Sequence, residues 1–226
     1  MKKYLLILVA FFTLTVAHGQ TNIYHYFPGD TATWVVDHYS NGCTASFMRY
    51  CSSSYYEMNG DTIINGMLHK KIYTRDVYFY YITPPLIPNP GVVGANYSSR
   101  KYMGAVRQDS VNKKVYYIDS TITSDALLYN FNLRIGDTMP PLLYNRYLTN
   151  PIVVTKLDSI LINNNYHKVF HFNGMNFNSS WDLIEGVGWS GDFFGILVSS
   201  DGSVNLACFD GQMIMPGFDN ECVVAI

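Results

Sequence analysis

Residues Ile184 to Gly195 read IEGVGWSGDFFG and hold two patterns that do chemistry in other settings. Gly186-Val187-Gly188-Trp189-Ser190-Gly191 is a literal G-x-G-x-x-G. Such a fingerprint binds dinucleotides where a strand ends in a tight glycine turn and a helix begins, because the first-turn amides then face the pyrophosphate. Here the chain continues Asp192-Phe193-Phe194-Gly195-Ile196-Leu197-Val198, an aromatic and β-branched stretch without helical pattern. The glycines therefore predict a bend or bulge at which Trp181, Trp189, Phe193 and Phe194 pack closely, and no nucleotide cofactor. Gly188-Trp189-Ser190-Gly191-Asp192 comes within one position of the nucleophile elbow G-x-S-x-G, again without the strand-to-helix turn that exposes such a serine.

Acid–base chemistry needs carboxylates, and the mature chain has three glutamates, Glu57, Glu185 and Glu221. Glu185, three residues from Asp182 in WDLIEG and flanked by aromatics, is the best candidate for a perturbed acid, and a pair of this kind would suit glycoside hydrolysis. The competing reading is a buried carboxyl bonded to the amides of its own glycine turn. With Trp189, these two acids form the candidate binding set. His167 and His171 are four apart. On a strand they share a face but stand roughly 13 Å apart, too far to hold one ion. Asp201-Gly202-Ser203, Asp210-Gly211 and Asp219-Asn220-Glu221 match no defined calcium loop. No metal site and no cofactor is expected.

The elements that would position these residues are strands. The chain carries 19 Tyr and 13 Phe, its apolar period is mostly two, and turn residues recur about every ten positions, an all-β pattern. In Tyr55–Thr74, Asn65-Gly66 is a two-residue hairpin turn that pairs Ile64 with Met67, Ile63 with Leu68 and Asp61 with Lys70, the last an expected ion pair. A second hairpin spans Met103 to Asp119, turning near Val111-Asn112-Lys113. A third spans Ile152 to Phe172, bending at Asn163-Asn164-Asn165 because Asn tolerates the left-handed region. Thr83 to Gly91, with four prolines, reads as a stiff surface connector. Successive hairpins predict an antiparallel meander closing into a barrel or sandwich.

At the N-terminus, Lys2-Lys3 precede an apolar run from Tyr4 to Val16, and Ala17-His18-Gly19 offers small residues for cleavage, so residues 1–19 read as a secretory signal peptide. Residues 20–226 then form one all-β domain, secreted or periplasmic. The run is too short to span a bilayer as a helix and no later one is longer, so the protein is not expected to be an integral membrane protein. There are 15 Lys and Arg, two of them in the leader, against 17 Asp and Glu, which gives the mature chain a net charge of −4. That balance disfavours nucleic acid as a partner. Export makes disulfides the default for Cys43, Cys51, Cys208 and Cys222, and short spacing favours Cys43–Cys51 and Cys208–Cys222.

The phrases GDTIINGMLHKKIYT, YMGAVRQDSVNKKVYYID, LLYNFNLRIGDTM, VTKLDSILINNNYHKVFHF, WDLIEGVGWSGDFF and LACFDGQ, in that order, resemble an uncharacterised β-rich module of exported Bacteroidota proteins. The resemblance covers about Tyr55 to Cys222 and implies no reaction and no catalytic residues. Members often continue into a type IX secretion sorting domain, which does not follow here. The same lineage implies O-glycosylation where Asp precedes Ser or Thr, at Thr31, Thr62, Ser110, Ser120, Thr138 and Ser159, although turn chemistry selects the same residues. The expected function is that of an exported binding or structural module of the cell envelope, whose partner is a glycan, a peptide or an envelope protein. The alternative is a secreted glycan hydrolase using a carboxylate pair.

Overall fold

A computed structural model describes residues 23–40, 48–82, 92–119, 124–139, 152–173, 182–194, 202–214 and 222. They form thirteen strands and, among the described residues, no helix. A nine-stranded antiparallel sheet, curled as a half-barrel, is built from β1 (Ala32–Ser40), β2 (Met48–Ile64), β3 (Met67–Ile82), β4 (Val92–Tyr97), β5 (Lys101–Asp109), β6 (Lys114–Asp119), β7 (Ala126–Asn130), β12 (Gly202–Phe209) and β13 (Gln212–Met213). Its order is β13-β12-β1-β2-β3-β5-β6-β7, with β4 on the edge of β3. A second sheet is ordered β11-β10-β9-β8, from β8 (Val153–Ile162), β9 (Asn165–Asn173), β10 (Leu183–Ile184) and β11 (Gly188–Trp189).

Turn chemistry fixes the registers. Asn65 and Gly66 take φ of 51° and 75°, the positive pair that lets a two-residue turn follow strand twist. The pairs Ile64–Met67, Ile63–Leu68 and Asp61–Lys70 follow as expected, and Lys70 Nζ lies 2.6 Å from Asp61 Oδ1. Lys113 at φ 54° closes β5–β6, and Asn163 and Asn164 at 49° and 63° close β8–β9. The first hairpin runs well beyond Tyr55–Thr74: β2 and β3 are 17 and 16 residues long, with a register shift between Met58 and Asp61.

Period two divides each strand between two faces. Trp34, Val36, Met58, Ile72, Val106, Val115, Tyr117 and Tyr129 of the large sheet point inward and share one apolar core with Val154, Ile162, Phe170 and Leu183 of the small sheet. At its centre Phe193 meets Trp34 at 4.8 Å, Phe194 at 5.0 Å and Tyr56 at 5.1 Å between ring centroids.

Cys208 and Cys222 form a disulfide with 5.7 Å between Cα atoms, as the spacing predicts. Cys43 lies outside the described residues, as does the side chain of Cys51, and so does the proline-rich stretch Thr83–Gly91. No helix of the described residues is long and apolar enough to cross a membrane.

Candidate functional site

The glycine-rich turn that attracts attention in the sequence is structural. Leu183-Ile184 and Gly188-Trp189 pair as a minimal hairpin, and Glu185-Gly186-Val187 make its turn. Gly188 takes φ 119° and a Cβ there would lie 2.7 Å from the Tyr129 hydroxyl oxygen, so the ring packs where only glycine leaves room. No helix follows. Ser190 is buried, and its Oγ accepts the Asp182 amide at 2.7 Å while its own amide donates to the Asp182 carbonyl at 2.8 Å. Its carbonyl accepts the Leu206 amide at 2.7 Å, which ties this hairpin to β12. The serine is a fastener between sheets, with its oxygens already engaged.

Glu185 is 2% exposed. Its Oε2 accepts the backbone amide of His25 at 3.4 Å, so the amide it meets comes from the N-terminal segment and not from its own turn. Burial raises its pKa above the usual carboxylate value, opposed by that hydrogen bond and by Lys168. Asp182 Oδ1 pairs with His171 Nδ1 at 2.8 Å, and burial raises its pKa while His171 opposes the shift. The far nitrogen of His171 faces Asp158 at 3.8 Å, and among the described residues no hydroxyl meets it as the serine of a triad would.

His167 is more buried than an outward-facing sheet residue. It donates Nδ1–H to the Glu185 carbonyl at 2.8 Å and stacks on His25 at 4.1 Å, and burial lowers its pKa. The two histidines of β9 thus clamp β10. Trp189 is 2% exposed, lies 5.3 Å from the Phe172 ring and leaves its Nε1–H without a partner. Of the sequence-derived set, Trp189 and Glu185 are buried in the β10–β11 hairpin and Asp182 is half-buried beside it, and the two carboxylates face different partners, the His25 amide for Glu185 and the His171 ring for Asp182. Among the described residues no three His, Cys, Asp or Glu side chains converge as a metal site. Of the acceptor positions for O-glycosylation, Thr31, Ser110 and Thr138 are exposed, Thr62 and Ser159 are half-buried, and Ser120 lies outside the described residues.

An open concavity lies elsewhere, on the outer face of the large sheet. Tyr56 and Met58 point into the core, so Tyr55 and Glu57 between them point out. The ladder sets Glu57 beside Thr33 and Tyr73, and Tyr55 beside Arg75. Beyond β3 its neighbour is interrupted: β4 pairs with residues 77–81 and β5 with residues 70–74. In the gap Ser98 donates its amide to the Asp76 carbonyl and accepts the Asp76 amide on Oγ, each at 2.8 Å. This break carries Tyr97 and Arg100 to the same face.

The result is a pocket of about 250 Å³, lined by Tyr55, Tyr73, Tyr97, Glu57, Arg75 and Arg100, with Val77 and the threonines 31, 33 and 74 among its other walls. Arg100 lies over the Tyr73 ring, 3.6 Å from its centroid, and its Nε reaches Glu57 Oε2 at 2.9 Å. Stacking and pairing together fix this guanidinium in place. Arg75 makes no ion pair with any described residue. The alternation within YYE and YTR is visible in the sequence and would have placed Tyr55, Glu57, Tyr73 and Arg75 on one face. What pattern reading misses is the interrupted strand that adds Tyr97 and Arg100.

Comparison with known proteins finds no family model that matches the chain, no similar curated protein and no similar solved structure.

Proposed function

We propose that the protein is an exported binding module whose ligand sits in the outer-face pocket. The observation that carries this reading is the pocket itself: ring faces, hydroxyls and an uncommitted guanidinium surround a space of about 250 Å³ on the exposed side of the large sheet. Binding pockets combine apolar and aromatic walls with a few convergent polar groups, and this volume lies just under the ~300 to 1,000 Å³ of drug-sized sites. It suits a single ring or side chain of a larger ligand. Among the described lining residues Glu57 is the one carboxylate, and it is already paired with Arg100.

Export is part of the proposal. It is supported by the basic, apolar and small-residue order of the first nineteen residues and by a disulfide that suits an oxidising compartment. The test is a binding screen of the mature protein against oligosaccharide arrays and peptide panels, repeated with Tyr97→Ala. Tyr97 is 52% exposed on an edge strand, so its truncation should leave the melting temperature nearly unchanged. Loss of an aromatic contact is expected to weaken binding by roughly twofold to tenfold. A screen without a ligand, or one whose ligand binds the variant equally well, would overturn the pocket as the site.

A further inference from the structure

We propose that the outer-face pocket takes a hexuronic acid residue of an acidic glycan, with Arg75 pairing the sugar carboxylate. The inference rests on the binding reading above and adds the ligand's chemical class.

Charge is the first argument. The lining holds two arginines and one carboxylate, and Glu57 neutralises Arg100 at 2.9 Å, which leaves the Arg75 fork in the wall without an ion pair among the described residues. A guanidinium presents parallel N–H groups that match a carboxylate in bidentate geometry. Binding a charge-matched group there supplies the pairing that no described residue gives Arg75.

Backbone geometry is the second. The strands beneath the pocket each lie between two neighbours: β1 between β12 and β2, β2 between β1 and β3, and β3 between β2 and the β4–β5 pair. Their ladder groups are consumed, so an extended peptide could add only to the β4 edge at the pocket's rim and not to its floor. Recognition falls to side chains. Tyr97 offers an exposed ring, and Thr33 and Thr74 add hydroxyls. Ring faces beside hydroxyls suit a pyranose, which has an apolar C–H face and a polar rim, and the volume holds one such ring.

The experiment is calorimetric titration of the disulfide-intact protein with trisaccharides of galacturonic, glucuronic and mannuronic acid, and with their methyl esters, which keep the rings and remove the charge. At least one acid is expected to bind about tenfold or more tightly than its ester, and more weakly as salt rises. Arg75→Gln should lower affinity for the acid by about tenfold to a hundredfold and for the ester by less than about threefold, with Arg75→Lys between. Melting curves confirm that each variant folds, and the acid-to-ester ratio of the unaltered protein stands even where a variant does not. Equal affinity for acid and ester, or an acid that binds Arg75→Gln undiminished, overturns the uronic acid assignment. In that case binding that still depends on Tyr97 leaves the pocket reading intact. If no sugar binds but a peptide does so through Tyr97, the glycan assignment alone falls. If nothing binds, both fall.

Discussion

Asp192 accepts hydrogen bonds on Oδ1 from the Tyr56 hydroxyl at 3.0 Å and its neighbouring Phe193 amide at 2.7 Å, while Oδ2 has no partner. Burial pushes its pKa from 3.8 up to about 6, against the pull of those two donors. A raised acid pKa means that the unfolded chain releases this proton first, so stability falls as pH rises from about 4 to about 6 and stays lower above. Asp192→Asn keeps the acceptor and removes the ionisation. Relative to the unaltered protein it should gain up to about 3 kcal/mol between pH 4 and pH 7, read from urea midpoints across that range. A constant difference with pH would show that Asp192 is neutral or accommodated throughout. Glu185 and Asp182 illustrate what residue types alone leave undecided. An acid beside glycines and aromatics suits catalysis and hairpin closure equally well, and the partners these two meet, the His25 amide and the His171 ring, lie outside the WDLIEG phrase that the eye reads.

At the scale of the element, the glycines of the β10–β11 hairpin serve close approach. Gly188→Ala would bring a methyl group to 2.7 Å from the Tyr129 hydroxyl at a φ that side chains avoid. The expected destabilisation is about 2–4 kcal/mol by urea unfolding, the sum of local strain and overpacking. A loss under about 1 kcal/mol would mean that Tyr129 yields easily. The first and third hairpins were legible because Asn65-Gly66 and Asn163-Asn164 write their register into adjacent residues, and the second because polar residues around Asn112 interrupt two runs of period two. Two features were not. The hydrogen bonds that let β4 and β5 share one side of β3 depend on Ser98 meeting Asp76, and nothing in a two-residue period marks that meeting. Nor does local pattern show that His25, well before the first strand, stacks on His167.

For the whole molecule, the all-β class follows from alternation and aromatic content, whereas the half-barrel curl and the separation of β8–β11 into a second sheet follow from packing at long range. The Cys208–Cys222 bridge holds Cys222, beyond the last described strand, to β12 across a sequence separation of 14. Replacing both cysteines by alanine should cost about 3 kcal/mol by the loop-closure relation, measured as a lowered thermal midpoint without reductant. An unchanged midpoint would show that the β12–β13 hairpin holds its place on β1 through its ladder alone. That hairpin also matters for timing. β12 is the outer neighbour of β1, so the first strand made has one flank uncovered until residues near 202–209 have been synthesised. Emergence from a ribosome or a translocation channel is vectorial, and such long-range pairing comes late. A nascent chain halted before Gly202 would therefore present one border of β1 with its ladder groups bare.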